Sequence, residues 1–110
     1  MLSSKNGLNL DKLDKEIPMN SYILEAGCGT GQLSIFLSRY NRKIFGIDLS
    51  QGSLKLAENF INKNDIHNVF FLKMNLFKLF FPKNFFDIII SNGVLHHTHD
   101  PKKAFVELTK

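Results

Sequence analysis

The chain has 110 residues, enough for one domain with a sizeable core, and 44% of them are hydrophobic. The net charge of +4 comes from dispersed lysines, and no run resembles a nucleic-acid-binding patch, so we expect no nucleic-acid partner. One cysteine excludes an internal disulfide, and no apolar run approaches the length of a membrane span, so the composition favours a cytoplasmic domain.

Strand-like and helical patterns alternate along the chain. An amphipathic helix is predicted over residues 8–16, ended by Pro18, and the first strand follows at about 21–26. The next predicted elements are a helix at about 31–40, a strand at 43–48, a helix with Ser50 as its N-cap, and strands at 68–73 and 85–90. Asp100 and Pro101 predict the start of a last helix. This alternation indicates an α/β domain with a parallel sheet and right-handed crossovers.

The most informative segment is a glycine loop between the first strand and the next helix, Glu25-Ala26-Gly27-Cys28-Gly29-Thr30-Gly31. Glycine lets a backbone approach a ligand closely, and the start of a helix offers unpaired N–H groups. A dinucleotide fingerprint would need a third glycine where Gln32 stands, and the lysine of a phosphate-binding P-loop is missing. An ordinary glycine-rich turn remains the alternative interpretation.

The pattern acid-x-Gly-x-Gly-x-Gly resembles the first motif of the class I (Rossmann-like) S-adenosylmethionine-dependent methyltransferases. Two later segments, 46–50 and 86–97, resemble further motifs of the small-molecule "type 11"-like branch of that family. The resemblance covers about residues 20–110 and implies a Rossmann-like doubly wound parallel sheet with S-adenosylmethionine as cofactor. Residues 1–110 are therefore expected to form one S-adenosylmethionine-binding methyltransferase domain.

Asp48 ends the second predicted strand, where a carboxylate can accept hydrogen bonds from vicinal ribose hydroxyls. The alternative is an acid that only caps the helix beginning near Ser50. The resemblance also implies cofactor contacts for other residues. Glu25 would hold the amino group of the cofactor's methionine part. The residues expected around the rest of the methionine part are Gly27, Cys28, Gly29 and Asn92. Leu49 is expected at the ribose and adenine, and Asn75 and Leu76 at the adenine rim.

Asn75 departs from the family pattern, which usually has an acid near this position. An amide oxygen can accept the same hydrogen bond, though more weakly than a carboxylate. An asparagine that only shapes a turn is an equally good interpretation.

Three histidines follow the fourth predicted strand, at positions 96, 97 and 99. Their spacing in a predicted loop does not match an ordered ligand set, so no metal site is expected. His97 is the candidate for a catalytic base on the substrate side, although alignment of the acceptor with a methyl donor often suffices without a base. The Asn-Pro-Pro-Tyr tetrapeptide of many amino-methylating enzymes is absent after this strand, which favours a small-molecule acceptor.

The family's sheet has seven strands in the order 3-2-1-4-5-7-6, whereas about four are predicted here. We therefore interpret the chain as the N-terminal part of a longer methyltransferase, truncated after about four strands in the order 3-2-1-4. An open edge at the fourth strand would then favour self-association.

Three functions follow from these features. The first is methyl transfer from S-adenosylmethionine to an unidentified small molecule. The second is a truncated, non-catalytic remnant that binds S-adenosylmethionine or S-adenosylhomocysteine. The third and weakest is a fragment of an NAD-type Rossmann oxidoreductase, against which Gln32 counts.

Overall fold

A computed structural model describes residues 10–75, 78, 81–82, 84–91 and 94–97. Its elements in chain order are α1 (Leu10–Glu16), β1 (Tyr22–Ala26), α2 (Gln32–Leu37), β2 (Lys43–Asp48), α3 (Gln51–Lys63), β3 (Val69–Lys73), β4 (Ile88–Ser91) and β5 (Val94–His97). The strands form one sheet in the order β3-β2-β1-β4-β5. β1 to β4 are parallel to one another, and β5 is antiparallel to β4.

The α/β class and the order 3-2-1-4 of the first four strands are confirmed. Helix α2 ends earlier than predicted because Tyr40 and Asn41 both have a φ of +59°, which a right-handed helix cannot continue through. Ser50 caps α3 as predicted, since its side-chain oxygen accepts a hydrogen bond from the backbone N–H of Ser53 at 3.3 Å. The predicted helix beginning at Asp100 lies outside the described residues.

The prediction that β4 is an open edge is wrong, and so is the assignment of residues 94–97 to a loop. β5 pairs with β4 in an antiparallel hairpin, with Ser91 opposite Val94 and Ile88 opposite His97. The two residues between the strands are Asn92 and Gly93, a sequence that strongly favours a two-residue hairpin turn. Self-association through the edge of β4 is therefore blocked by the chain itself.

One face of the sheet is covered by the three helices. The core on this face contains Leu13 of α1, Leu37 of α2 and Ala57 of α3, together with Ile23 and Ile88 from the strands. These five side chains are at most 6% exposed. Burial of this apolar area is the main contribution to the stability of the helical side.

The opposite face carries an aromatic layer. The ring of Phe45 on β2 lies 4.9–5.7 Å, between centroids, from those of Phe70, Phe81, Phe85 and Phe86. The described residues between β3 and β4 form no α-helix that could cover this face, and the aromatic rings cover it instead. Since both faces are covered, the three isoleucines of β4 are buried, as their continuous apolar run indicates.

A buried arginine attaches α1 to the rest of the domain. Arg42 is 1% exposed, and its guanidinium donates to a carboxylate oxygen of Asp14 at 2.5 Å and to the carbonyl oxygen of Ile17 at 2.7 Å. Several hydrogen bonds to one guanidinium offset the loss of its hydration. None of the helices in the described part of the chain is long and apolar enough to cross a membrane.

Candidate functional site

The glycine loop lies across the carboxyl ends of β1 and β2. The backbone N–H groups of Gly27 and Cys28 both donate to the carbonyl oxygen of Ile47, at 2.8 and 3.0 Å. The N–H of Gly31 then donates to the carbonyl oxygen of Cys28 at 2.9 Å, and α2 begins at the next residue. These bonds fix the loop at the edge of a parallel sheet where ligands of doubly wound folds bind.

Gly27 and Gly29 form the open part of this loop. Their φ angles are +71° and +57°, a region that other residues enter only with strain. A Cβ added to either glycine would have no neighbour within 4 Å. The space above these two residues, called the cradle below, is therefore open, and a ligand can approach the backbone closely there.

Gly31 has a different role. A Cβ at this position would lie 2.7 Å from Cε1 of Phe71 and 3.1 Å from the Cβ of Ala57. A Cβ at Gly46 on β2 would also meet the Phe71 ring, at 2.9 Å. The ring of Phe71 thus packs directly against two glycine backbones, and the third glycine of the motif belongs to the core.

Asp48 joins the loop to the start of α3. One carboxylate oxygen accepts a hydrogen bond from the N–H of Gly29 at 2.8 Å, and the other accepts from the N–H of Ser50 at 2.9 Å. These backbone donors hold the pKa of Asp48 below its usual range, so the side chain is ionised at neutral pH. Each oxygen can accept a further hydrogen bond, so capping near Ser50 and acceptance from a ligand diol are compatible.

Glu25 lies at the end of β1 and is 9% exposed. Its Oε1 accepts a hydrogen bond of 2.5 Å from the hydroxyl of Ser34, which is fully buried in α2. Burial raises the pKa of Glu25 to about 7, against the opposite effect of its hydrogen bonds from Ser34. Ser34 was not among the predicted site residues. The only sequence feature that points to it is its position in the first turn of the helix that follows the motif.

Cys28 has its side chain in the helical core and is 7% exposed. Burial, with the nearby Glu25 and Asp48 carboxyls, raises the pKa of its thiol to about 12, so the sulfur is an unreactive core group. Only the backbone of Cys28 is left to line a ligand site.

Two other expected cofactor residues lie near the same edge of the sheet. Leu49 follows Asp48 directly and is 63% exposed. Asn75 is exposed and follows Met74, whose N–H donates to the carbonyl oxygen of Asp48 at 3.2 Å. Leu76 and Asn92 lie outside the described residues.

His96 and His97 are not near the loop. His97 pairs with Ile88 at the amino end of β4, whereas the loop follows the carboxyl end of the neighbouring β1. The backbone of His97 is therefore at the opposite end of the sheet, which argues against its predicted role as a base beside the cofactor. His96 is buried, and its Nδ1 has no hydrogen-bond partner within the described residues. The same residues contain no cluster of three potential metal ligands.

Comparison with known proteins gives concordant matches. A family model described as a methyltransferase domain matches residues 24–110. An uncharacterized methyltransferase of Schizosaccharomyces pombe is 34% identical over 104 residues, a match that covers 87% of this chain and 37% of that protein. The uncharacterized methyltransferase YcgJ of Bacillus subtilis is 30% identical over 88 residues, covering 80% of this chain and 35% of YcgJ.

Solved structures show the same fold. A SAM-dependent methyltransferase from Aquifex aeolicus superposes with a TM-score of 0.71 at 26% identity, over 83% of this chain and 51% of that chain. The crystal structure of YcgJ superposes with a TM-score of 0.69 at 26% identity, over 74% of this chain and 36% of that chain. The chain spans well under half the length of the two curated relatives. Because the family match includes the glycine loop, Asp48 and every later strand, the chain belongs to the class I S-adenosylmethionine-dependent methyltransferase family, whose cofactor is S-adenosylmethionine.

Proposed function

We propose that this chain provides the donor-binding part of an enzyme that transfers the methyl group of S-adenosylmethionine to a small molecule. The observation that carries the proposal is the open cradle above Gly27 and Gly29, directly beside the ionised carboxylate of Asp48. A cofactor with a flexible methionine part and a ribose diol matches a close-approach surface next to a two-oxygen acceptor.

The described residues suggest a division of roles. Gly27 and Gly29 would admit the methionine part, and Glu25 would hold its amino group. Asp48 would accept hydrogen bonds from the ribose hydroxyls through the lone pairs that Gly29 and Ser50 leave available. Leu49 would cover the adenine ring, with Asn75 at its rim. The sequence-based assignments of Leu76 and Asn92 complete the proposed set.

S-adenosylmethionine supplies a methyl group that its sulfonium already activates. The protein's contribution is then alignment of the acceptor atom with the bond that breaks, and removal of water from both groups. A fixed loop serves this purpose because it is tied to β2 by two backbone hydrogen bonds and to Asp48 by a third. No protein base is needed for an acceptor that is already nucleophilic.

The acceptor is proposed to be a small molecule rather than a nucleic acid or a protein amide. Supporting this are the dispersed lysines and the sequence Ser91-Asn92-Gly93-Val94 where amino-methylating enzymes commonly have Asn-Pro-Pro-Tyr. The alternative is a truncated remnant that binds S-adenosylmethionine or S-adenosylhomocysteine and transfers no methyl group.

Two measurements on the 110-residue chain test the proposal. Titration calorimetry with S-adenosylmethionine, S-adenosylhomocysteine and NAD should show binding of the first two and none of NAD. Transfer of labelled methyl groups to a panel of small acceptors then separates the enzyme from the remnant. Absence of binding to both adenosyl compounds would contradict the proposal, and binding of NAD alone would favour an oxidoreductase.

Light scattering of the same samples addresses self-association. Among the described residues, β5 forms one edge of the sheet, and its Val94 is 51% exposed. Exposed strand edges favour pairing between chains, so we propose that the chain self-associates through β5 or through β3 at the other edge. A monodisperse monomer at high concentration would contradict this.

A further inference from the structure

The side chain of Phe71 reaches from its own strand to a loop two strands away. Phe71 lies on β3 in register with Gly46 on β2, and it is 7% exposed. Because position 46 has no side chain, the ring can pass over β2 and lie against Gly31, directly before α2. A residue of β3 thereby contacts the loop that follows β1.

The ring fills the space under the turn from Cys28 to Gly31, on the side that faces the core. A Cβ at Gly31 would lie 2.7 Å from Cε1 of Phe71. A Cβ at Gly46 would lie 2.9 Å from the same ring atom and 3.0 Å from the Cβ of Cys28. The ring and Cys28 therefore border the same space, and in a close-packed interior neither can shift without moving its neighbours.

The other side of the same turn is open. The N–H of Gly31 donates to the carbonyl oxygen of Cys28 at 2.9 Å, and the N–H of Gly29 between them donates to Asp48 at 2.8 Å. A Cβ at Gly29 would meet no atom within 4 Å. Packing thus holds the turn from the core side and hydrogen bonds hold it in plane, while its outer surface is accessible to a ligand.

We propose that Phe71 is a positioning residue for the donor site, and that its ring sets the height of the glycine loop without contacting the ligand. This rests on the proposed function, in which the cofactor approaches the open side of Gly27 and Gly29. Binding against a backbone is sensitive to displacements of about 1 Å, because close contacts weaken steeply with distance. A smaller side chain at position 71 lets the turn settle toward the core, so affinity falls although the domain stays folded.

Packing alone is the alternative role of this side chain, because truncating a buried phenylalanine lowers stability in any core. Phe86 provides the comparison. It is 5% exposed and belongs to the aromatic layer on the opposite face of the sheet. Truncation of either ring should lower the free energy of unfolding, but of the two rings it is Phe71 that lies against Gly31.

The experiment measures affinity and stability on the same samples of the 110-residue chain, by titration calorimetry with S-adenosylhomocysteine and by urea unfolding. Phe71→Leu should weaken binding by the folded chain about tenfold, because leucine is too short to pass over Gly46 and support Gly31. Phe86→Leu is the matched control. It should lower the free energy of unfolding and change the affinity by less than about twofold.

Two further variants separate support of the loop from filling of volume. Phe71→Met has an unbranched side chain that can extend toward Gly31, so it should bind about threefold more tightly than Phe71→Leu. Gly46→Ala acts from β2, since its methyl group would push the ring and Cys28 toward the loop. We expect about a tenfold loss of affinity from Gly46→Ala, although this methyl group faces the core and not the ligand.

Equal affinity of the parent chain and Phe71→Leu, or equal weakening in Phe71→Leu and Phe86→Leu, would overturn the positioning role and leave the proposed function intact. Absence of binding by the parent chain would overturn the proposed function, and the positioning role with it.

A measurement on the unaltered chain decides the question even where the variants fail to fold. NMR of ring-labelled phenylalanine should show slower flipping of the Phe71 ring with S-adenosylhomocysteine bound, because a ligand that fixes the turn from its open side leaves the ring less room to rotate. The flipping rate of Phe86 should stay the same. Equal flipping rates of Phe71 in the free and bound chain would overturn the positioning role.

Discussion

Two pairs of glycines near the carboxyl end of β1 have opposite surroundings. Gly27 and Gly29 have open space where a Cβ would project, whereas Gly31 and Gly46 lie against the ring of Phe71. Gly27, Gly29 and Gly31 belong to a single motif, and the sequence pattern alone does not distinguish their roles. The outer side of this short segment is open, and we propose that it binds the ligand, whereas its inner side packs in the core. Substitutions in the segment should therefore separate into two kinds.

The packing side should give the largest effect. Gly31→Ala forces a methyl group against Phe71 and Ala57 at a φ of +81°, and we expect the free energy of unfolding to fall by about 4 kcal/mol from overpacking and backbone strain. Urea unfolding followed by circular dichroism measures it. The double variant Gly31→Ala with Phe71→Leu should recover part of the loss, and equal stability of parent and single variant would show that the ring is not tightly held.

The buried carboxyl beneath the loop should make the unliganded chain less stable as the pH rises. Glu25 has its pKa raised from 4.5 to about 7 on folding, so its contribution is fully present below pH 4.5 and is lost as the pH rises through 7. The loss is roughly 3 kcal/mol, and Glu25→Gln should remove it. Chemical unfolding at pH 5 and pH 7.5 measures the difference, and a parent chain that gains stability over this interval would contradict the assignment.

On the open side of the loop, a substitution should lower ligand affinity more than it lowers the free energy of unfolding. Gly29→Ala places a methyl group in the cradle, and we expect affinity for S-adenosylhomocysteine to fall about a hundredfold, or about 2.7 kcal/mol. The free energy of unfolding should fall by only about 1 kcal/mol, from the left-handed backbone conformation. Calorimetry and urea unfolding of the same sample provide both values. Unchanged affinity in a folded variant would mean that the ligand does not approach Gly29.

Asp48 lies between the two sides, since it holds the loop and is proposed to hold the ribose. Asp48→Ala should weaken binding by about 2 kcal/mol, because charge-assisted hydrogen bonds to a diol are lost. Asp48→Asn keeps one acceptor oxygen and should lose less. If both variants lose all affinity and their glycine loops are disordered, Asp48 acts on loop structure alone. Comparison of the backbone amide NMR spectra of the two variants with that of the parent tests this.

Gly52 supplies a control outside the loop. It lies exposed in the first turn of α3, and a Cβ there would meet nothing within 4 Å. Gly52→Ala should raise the free energy of unfolding by about 0.5 kcal/mol through helix propensity and leave ligand affinity unchanged. A change in affinity would show that α3 and the cradle are coupled.

Much of the site could be predicted from local sequence. The glycine loop, the acid that ends β2 and the Ser50 cap are short-range features, and each is determined by residues a few positions apart. The order of the first four strands follows from the family resemblance and the crossover rule. The strand order is confirmed by the sheet topology and the cap by the Ser50 hydrogen bond, whereas the cofactor contacts of the loop and of Asp48 stay predictions.

The remaining features depend on contacts that no local pattern contains. Phe71 is 40 positions from Gly31 and reaches it only because β3 pairs with β2 in a particular register. The Glu25–Ser34 hydrogen bond requires α2 to lie over β1. The pairing of β5 with β4 is different, because Asn92-Gly93 is a local signal for a hairpin that the prediction of a loop after the fourth strand did not use.

The central claim is that the open side of the glycine loop holds S-adenosylmethionine. A crystal structure of the chain with S-adenosylhomocysteine tests it most directly. We predict the methionine part over Gly27 and Gly29 and the ribose hydroxyls within hydrogen-bond distance of Asp48. A nucleotide bound elsewhere on the sheet, or with its ribose away from Asp48, would contradict the account.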